Sequence, residues 1–555
     1  MNENGTSLDI NLSIDGWPGE LRLKPHDSPP DVARDCQDSA DERVFAGERD
    51  VYRRVPIWLA LAVFVFMVFP LAAPGTAYAR AGQDKPATKV STEAQLRTAW
   101  ADLTETHIKL TKDIYLHQCK TGDPIRESPY PLLLDGGGHT IRQACFEKRV
   151  LRQDGTGYLL IKDIMLTRGG SDGPGAALTS RGEIEIRGSK IQQNLAEEPG
   201  GGVFSMRRIT VRDSVITNNL ANDDGGGLYA RRGGVQVFDS TISNNLVDGS
   251  GGAIGSTGDI LLVRSHSDGN TTDGDGGALY TDEDGDVTVV DSTVDGSDAD
   301  GPGGAIWTLE GDVTVVGSTL NGNRADDRGG AIGGEADVFV INSTVARNAA
   351  VAHVGGGIFS RGNLYVANST VSNNYAEGQG GGILGGSMVR LEHSSILNNV
   401  APVAANVGAG ERLESYASVI GPARIVDVGG EVQPTKKNCN LTDGVKSFGH
   451  NFVTDASCGL DHASDMVAEG DPLLGPLGDN GGFGETLLPE PLSPVLDRVP
   501  TDACDLAPFE RFLKEGDQHL EGLIDDRPAL MRKDQRGVER PQGPACDIGS
   551  VELEP

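Results

Sequence analysis

Residues 225–245 read GGGLYARRGGVQVFDSTISNN, and variants of this pattern occur eight times between about Gly200 and Asn399. Each copy contains two or three glycines, an aliphatic residue, a Val-x-Val segment, a Ser-Thr pair and an asparagine. The aliphatic residues recur every 25 to 27 positions, at Val203, Leu228, Ile254, Leu279, Ile306, Ile332, Ile358 and Ile383. A fixed period in this range, built from strands and tight turns, predicts a solenoid.

The content of each copy indicates the type of solenoid. No apolar pattern at helical spacing occurs within a copy, whereas Val287-Thr288-Val289 and Val313-Thr314-Val315 alternate as strands do. Glycine clusters supply the corners at which a coil turns. A coil of about 26 residues suits a parallel β-helix of three short strands, whereas a propeller blade needs about 40 or more. The sequence therefore predicts an all-β, parallel β-helix.

Equivalent residues of successive coils should stack in columns. We expect the aliphatic residues to fill the interior and one asparagine per coil to form a ladder of side-chain amides at a corner. This asparagine column has a single gap, at Ser297, and comprises Asn219, Asn245, Asn270, Asn323, Asn348, Asn374 and Asn399. A serine column has the same period, at Ser214, Ser240, Ser265, Ser292, Ser318, Ser343, Ser369 and Ser394.

The composition is acidic and rich in glycine. The 555 residues include 76 glycines, only 5% aromatic residues, and a formal net charge of −32. Such acidity disfavours nucleic acid as a partner, and it disfavours polyanionic glycans unless a divalent cation bridges them. It favours a soluble, extracytoplasmic protein.

An apolar segment near the N-terminus, Val55–Ala73, follows Arg53-Arg54 and leads to Ala77-Tyr78-Ala79. A basic flank, an apolar run and a small-x-small end predict an export signal that is cleaved after Ala79. The alternative is an uncleaved membrane anchor, because the run is long enough to span a bilayer. Residues 1–54 form a polar extension that we expect to be disordered, and residues 55–79 form the signal or anchor.

The cysteines outside the N-terminal extension flank the repeats as three local pairs. These pairs are Cys119 with Cys145, Cys439 with Cys458, and Cys504 with Cys546. In an exported protein the pattern predicts three disulfides that lock the two ends, and pairing of neighbours is the simplest of fifteen connectivities. Metal binding is disfavoured, because neither Cys-x-x-Cys nor clustered histidines accompany them.

The segment before the repeats has the features of a cap. Residues 91–100 predict a short amphipathic helix, and strands are predicted at Ile108–Leu110 and Ile114–Leu116. Such a helix would cover the open end of a β-helix. We therefore divide the chain into a cap with first strands at 80–134, repeats at 135–428 and a C-terminal region at 429–555. His139 is expected to be a turn residue rather than a catalytic one.

Several motifs outside the repeats carry a family resemblance. LDGGGHTI occupies residues 134–141, and the C-terminal region contains GHNF at 449–452, DPLLGPL at 471–477, DQRG at 534–537 and ACDIG at 545–549. From the capping helix to its end, the chain resembles bacterial surface proteins with a right-handed β-helix and a choice-of-anchor Q region. The Gly-Gly-aliphatic and Ser-x-x-x-Asn repeats are also similar to those of polymorphic outer-membrane proteins.

The resemblance implies a right-handed β-helix, export, and a secreted or cell-surface location without an established chemistry. Members of this family commonly carry a separate C-terminal sorting signal, whereas no terminal apolar segment or basic tail accompanies the final Glu552-Leu553-Glu554-Pro555. We therefore expect any contact with a membrane to be made through residues 55–73.

An aromatic residue follows the buried aliphatic residue in five of the eight copies. Strand alternation turns this position outward. A row of rings at coil spacing could stack on sugar faces, which makes these residues glycan-binding candidates. The alternative is that the rings pack under a loop or against one another. The five residues are Phe204, Tyr229, Tyr280, Trp307 and Phe359.

Acidic residues precede the glycines in several copies, and carboxylate oxygens at this density suit calcium. No nine-residue calcium-binding repeat is present, however, and aspartates commonly form turns. We therefore expect solvated turns without a cofactor, with Ca²⁺ as the alternative. The candidate ligands are Asp223, Asp224, Asp273, Asp275, Asp298 and Asp300.

No catalytic cluster is evident, since the acids are spread over the coils and Arg231-Arg232 is the notable basic pair in the repeats. We expect an adhesive, glycan-binding rod without catalysis, whose partner is an extracellular glycan or a host or neighbouring cell surface. A polysaccharide lyase or glycoside hydrolase is one alternative, and it requires Asp with Lys or Arg on adjacent coils of one face. A structural envelope spacer is the other.

Overall fold

The computed structural model of the chain describes residues 86–426, 432–435, 437–468, 470–504 and 532–554. Within them, four parallel sheets form one β-helix, and each regular coil passes through the sheets in the order A, B, D and C. This confirms the predicted all-β, parallel β-helix. The predicted extension, export segment and cleavage site at Ala79 lie outside the described residues.

Sheets A and B each contain 15 described strands. The strands of sheet A are Thr88–Val90, His107–Leu110, Leu132–Asp135, Leu159–Lys162, Ile184–Arg187, Ile209–Arg212, Val235–Phe238, Ile260–Val263, Val287–Val290, Val313–Val316, Val338–Ile341, Leu364–Ala367, Met388–Glu392, Arg412–Tyr416 and Gly444–Gly449. Those of sheet B are Ile114–Leu116, Thr140–Gln143, Met165–Thr167, Lys190–Gln192, Val215–Thr217, Thr241–Ser243, His266–Asp268, Thr293–Asp295, Thr319–Asn321, Thr344–Ala346, Thr370–Ser372, Ser395–Leu397, Val419–Ile420, Phe452–Val453 and Met466–Val467.

Sheet C contains 13 described strands and sheet D contains nine. Sheet C consists of Ile125–Arg126, Leu151–Gln153, Leu178–Ser180, Val203–Ser205, Leu228–Ala230, Ile254–Ser256, Leu279–Thr281, Ile306–Thr308, Ile332–Gly334, Ile358–Ser360, Ile383–Gly385, Val407–Ala409 and Cys439–Leu441. Sheet D consists of Gly170–Ser171, Leu195–Ala196, Leu220–Ala221, Leu246–Val247, Thr271–Thr272, Asp298–Ala299, Arg324–Ala325, Ala349–Ala350 and Tyr375–Ala376. A separate antiparallel pair joins Ala423–Val426 to Val432–Thr435.

The regular coil therefore has one strand more than the three that the sequence predicts. The additional strand is the two-residue strand of sheet D, such as Leu220–Ala221, which lies between the asparagine corner and the glycine turn. Sequence patterns reveal strands through alternation over several residues, and a strand of two residues is too short to show it. The sheets also extend beyond residues 135–428 on both sides, from Thr88–Val90 to Met466–Val467.

The interior of the β-helix is apolar because every second residue of each strand points inward. In sheet A, Val235 and Val237 are fully buried, while Gln236 between them is half-buried. Each member of the aliphatic column has a relative exposure of 0%. A continuous apolar core runs from Val90 to Leu460, as expected when equivalent residues of stacked coils bury one another.

The predicted asparagine ladder is confirmed at the corner between sheets B and D. The Nδ2 atom of Asn348 donates to Oδ1 of Asn374 at 3.0 Å, and Oδ1 of Asn348 accepts from Asn323 at 3.0 Å. At the gap in the column, Asn270 donates to the hydroxyl of Ser267 instead. These buried amides satisfy backbone groups at a corner where no strand can do so.

The serine column forms a second ladder, at the corner between sheets A and B. The backbone N–H of Ser214 donates to the hydroxyl of Ser240 at 3.0 Å, and this contact repeats along the coils. The residue before each serine is commonly Asp or Asn with a left-handed backbone, as at Asp213, where φ is +49°. Asp and Asn tolerate this conformation better than most residues, which accounts for the recurring Asp-Ser-Thr and Asn-Ser-Thr motifs.

The N-terminal end of the β-helix is covered by the predicted helix, which spans Glu93–Ala101. The hydroxyl of its N-cap, Thr92, accepts from the N–H of Gln95, and Trp100 packs fully buried with its indole N–H donating to Arg152 O at 3.1 Å. Two short 3₁₀ turns, Cys119–Thr121 and Ala456–Cys458, lie near the two ends.

The C-terminal region folds back along sheet B and packs against it. Gln535 bridges two neighbouring strands, donating to Thr344 Oγ1 at 2.8 Å and accepting from Thr370 Oγ1 at 2.6 Å. The buried guanidinium of Arg540 donates to Glu552 and to Asn368, both at 2.9 Å. The DQRG motif and its neighbours therefore dock this region on the β-helix.

Three disulfides join Cys119 to Cys145, Cys439 to Cys458, and Cys504 to Cys546. The predicted pairing of neighbours is thus confirmed, with one bond near the N-terminal end and two near the C-terminal end. Disulfides of this kind indicate folding in an oxidising, extracytoplasmic compartment. Among the described residues, no helix has the length and apolar character needed to cross a bilayer.

Candidate functional site

The five candidate glycan-binding rings lie on the outer face of sheet C, as strand alternation predicts, but other groups cover them. Their relative exposures are only 4 to 9%. Phe204 and Tyr229 stack with ring centroids 6.0 Å apart, whereas the other three rings form a cluster with Val354 and Leu384. The rings thus form two groups, and their faces are not exposed to solvent. Their role in glycan binding therefore remains a prediction.

Glycines on neighbouring coils explain how these rings fit. A Cβ atom on Gly333 would lie 2.5 Å from the Trp307 ring, and one on Gly255 would lie 3.0 Å from the Tyr229 ring. The glycine turns between sheets D and C also fold against this row, as Gly225 does beside Tyr229. Alternation identifies the face of a sheet on which a ring lies, but it does not reveal a turn that closes over that face.

The six candidate calcium ligands are spread over successive coils at or beside the turns between sheets D and C. No group of three or more Asp, Glu, His or Cys side chains converges as a metal site requires anywhere in the described part of the chain. Asp298 instead pairs with Arg324 at 2.8 Å, and Asp224 accepts from the N–H of Ser250 at 2.8 Å. The other four candidates are Asp223, Asp273, Asp275 and Asp300.

Burial raises the pKa of three of these carboxyl groups, those of Asp224, Asp275 and Asp300. Burial raises the pKa of Asp275 to about 6, with a further contribution from the negative charges of Asp327 and Asp224. Carboxylates that are partly desolvated and repel one another favour their protonated forms. The turns therefore resemble partly buried acidic corners more than the fully solvated turns expected from the sequence.

A recess on another side of the β-helix combines an aromatic ring with charged and hydroxyl side chains. We call it the Phe483 recess; it is open to solvent, has a volume of about 690 Å³ and lies along the corner between sheets A and B. Three consecutive coils build it, and one residue from the C-terminal region completes it. It is lined by Asp239, Ser240, Thr241, Arg264, Ser265, His266, Asp291, Thr293 and Phe483.

The aromatic wall of the recess is held in place by residues next to Phe483 in sequence. Glu485 O accepts from the hydroxyl of Thr344 at 2.7 Å, and the Glu485 carboxylate pairs with Arg347. Gly484 lies so close to sheet B, at φ +85°, that a Cβ atom would be 2.8 Å from Thr319 Oγ1. These contacts position Phe483 at the rim, where its side chain retains 39% of its exposure.

The opposite wall of the recess is charged. Arg264 binds Asp239 through two hydrogen bonds of 2.8 and 2.9 Å, and Asp291 lies on the next coil. The hydrogen bond from Arg264 lowers the pKa of Asp239. His266 and Thr293, which are hydrogen-bonded to each other, lie on sheet B beside this row. The recess thus places an exposed ring next to donors and acceptors that point to solvent.

Sequence reasoning missed this recess. Phe483 lies almost 200 positions after Asp291, and no periodic pattern relates the C-terminal region to the coil that it meets. The sequence does contain one indication of its charged wall: Asp239, Arg264 and Asp291 follow one another at the coil period, and their charges alternate. This column also places Asp and Arg on adjacent coils of one face, the feature named above as the mark of an enzyme.

Comparison of the chain with models of protein families, with curated proteins and with solved structures gave no match.

Proposed function

We propose that this protein is an extracytoplasmic β-helical rod that binds a glycan through the Phe483 recess. The observation that carries the proposal is the exposed Phe483 ring facing a charged row built from three consecutive coils. A choice-of-anchor Q surface protein of bacterial origin, as the sequence motifs suggest, would present such a rod outside the cell. Secretion or surface display is part of the proposal.

The chemistry of the recess suits a sugar. A pyranose offers an apolar face of C–H groups and a rim of hydroxyl groups, so it matches an aromatic ring beside polar side chains. Phe483 would contact the apolar face, while Asp239, Arg264 and Asp291 would bond the hydroxyls. An open recess that spans three coils, at about 4.8 Å per coil, has room for a segment within a longer chain rather than only a chain end.

The proposal predicts that the full chain is retained on at least one neutral polysaccharide, tested with a β-glucan, a xylan and a mannan. Phe483→Ala should weaken this retention about three- to tenfold, because a stacked ring contributes roughly 0.5–1.5 kcal/mol. The measurement is the dissociation constant from affinity electrophoresis. No unsaturated or reducing-end product should be released.

Phe146→Ala is the matched control, since Phe146 is 68% exposed and lies near the N-terminal disulfide. It should leave retention unchanged. Equal retention by wild type and Phe483→Ala would reject the Phe483 recess as the binding site. Absence of retention on all three polymers would reject neutral-glycan binding, and the spacer function would then gain support.

Hydrolysis of a glycan in the same recess is a second candidate function, favoured by one observation. Burial raises the pKa of Asp295 to about 6, and Asp295 lies beyond the lining of the recess, two residues after the lining residue Thr293 on the same strand. A general acid needs a pKa near the working pH, whereas Arg264 keeps Asp239 ionised. Release of reducing ends by wild type, abolished in Asp295→Asn with retention intact, would establish hydrolysis in place of simple binding.

A further inference from the structure

A second recess lies at the other edge of sheet A, where turns lead from sheet C into sheet A. We call it the arginine recess; it has a volume of about 690 Å³ and is built by four successive coils. Its lining contains four arginines and a single acidic residue. The lining residues are Thr156, Arg181, Glu183, Met206, Arg207, Arg208, Arg232 and Gly233.

In the part of the chain that the structure describes, the four guanidinium groups of this recess have no acidic partner. Among the described residues, none of them forms an ion pair with a carboxylate, whereas Arg264, Arg324 and Arg361 each pair with an acid from a neighbouring coil. Arginines that repel one another without a counter-charge do not stabilise the fold. Their clustering therefore points to an anion supplied from outside the chain.

The distribution of charge along the chain makes this cluster more unusual. Residues 141–240 contain 14 Lys and Arg against 12 Asp and Glu, whereas residues 241–340 contain 3 against 19. The net charge of −32 therefore does not describe the N-terminal coils. The sequence-based objection to polyanions holds for the acidic coils, but the arginine recess is a local exception to it.

We propose that the arginine recess binds an acidic polysaccharide through its carboxylate or sulfate groups. The inference rests on the proposed function in one respect, namely that the ligand is a glycan. It adds a second binding site and specifies that the ligand is anionic. It also limits where the polymer can bind, because the acidic coils would repel it and confine it to the N-terminal coils.

The geometry favours a polymer over a small anion. A guanidinium group binds a carboxylate or sulfate through two parallel hydrogen bonds, which a lysine cannot form. Arg181, the pair Arg207-Arg208 and Arg232 come from three consecutive coils, so they can meet several anionic groups along one chain. Gly233, at φ +96°, allows close packing at the base of the recess, because a Cβ atom there would lie 3.2 Å from Arg208 N.

The test measures binding of the full chain to polygalacturonate, to dextran sulfate and to neutral dextran, in EDTA and at two salt concentrations. Arg207→Gln/Arg208→Gln should weaken binding to polygalacturonate about tenfold or more, because charge-assisted hydrogen bonds are lost. Arg181→Gln/Arg232→Gln should act in the same direction. The matched control is Arg361→Gln/Arg412→Gln, which removes two exposed arginines that pair with Glu335 and Glu414.

The proposal is supported if the chain binds either polyanion, if this binding weakens with salt and persists in EDTA, and if only the recess variants lose it. The polymer that binds more tightly then shows whether carboxylate or sulfate groups are preferred. Equal binding by wild type and the recess variants, or binding that requires calcium, would overturn it. Retention on neutral polysaccharide without polyanion binding overturns this inference alone. Polyanion binding without neutral retention overturns only the role of the Phe483 recess.

Discussion

Two adjacent side chains show how strongly this fold perturbs individual groups. Glu392 and His393 are both buried where the last regular coils meet the C-terminal region. Burial raises the pKa of Glu392 to about 8 and lowers the pKa of His393 well below its ordinary value. Both side chains are therefore uncharged in the folded protein at neutral pH, as expected for groups that have no partner of opposite charge in hydrogen-bonding contact among the described residues.

Glu392→Gln should make stability less dependent on pH. Between pH 4.5 and about 8, the folded state keeps a proton on Glu392 that the unfolded state has released, so wild-type stability falls as pH rises across this window. Glutamine does not titrate. The free energy of unfolding of the variant minus that of wild type should increase from pH 4.5 to about 8 and then level off. Denaturant unfolding at a series of pH values measures this difference.

The exposed residue Glu310 provides the control, and Glu310→Gln should change the free energy of unfolding by less than about 0.5 kcal/mol. The glutamine amide at position 392 adds only an offset that does not vary with pH. A difference between Glu392→Gln and wild type that stays constant from pH 4.5 to 8 would show that Glu392 is ionised in the folded protein.

The asparagine corner is the element that couples one coil to the next. The side chain of Asn348 makes four hydrogen bonds there: its Nδ2 donates to Leu320 O and Asn374 Oδ1, and its Oδ1 accepts from both the backbone and the side chain of Asn323. All four bonds are buried. Because each asparagine side chain bonds both neighbouring coils, a single deletion removes hydrogen bonds to groups on two coils.

Asn348→Ala should therefore lower the free energy of unfolding by about 3 kcal/mol, since buried donors and acceptors are left unsatisfied. Asn222→Ala, which truncates an exposed asparagine in a turn five coils earlier, should cost less than about 0.5 kcal/mol. Urea unfolding followed by circular dichroism compares the two. Similar costs for both variants would show that the ladder does not stabilise the coils.

The sequence contains enough information for most elements of the regular coil. Val-x-Val segments, glycine clusters and the asparagine and serine columns recur at one period, and each corresponds to a strand, a turn or a corner ladder. The strand Leu220–Ala221 could not be predicted, because two residues show no alternation. Burial of Trp307 could not be predicted either, since it depends on a glycine that lies one coil away in the stack.

At the scale of the whole molecule, the candidate site depends on the return of the C-terminal region along sheet B. Gln535 and Arg540 dock this region on residues that precede them by more than 150 positions, and Glu485 brings Phe483 to the coils of Asp239 and Asp291. Contacts at such separations follow from the tertiary fold alone. For this reason the sequence predicts the rod but not the recess on its side.

The central claim is that Phe483 contacts a bound glycan, and ¹⁹F NMR tests it most directly. The full chain would carry 4-fluorophenylalanine at position 483, with a second sample labelled at the fully buried Phe452 as the reference. Titration with the neutral glycan that is retained best should shift the 483 resonance saturably and leave the 452 resonance unchanged. Saturation of binding with an unmoved 483 resonance would contradict the claim and place the glycan elsewhere on the β-helix.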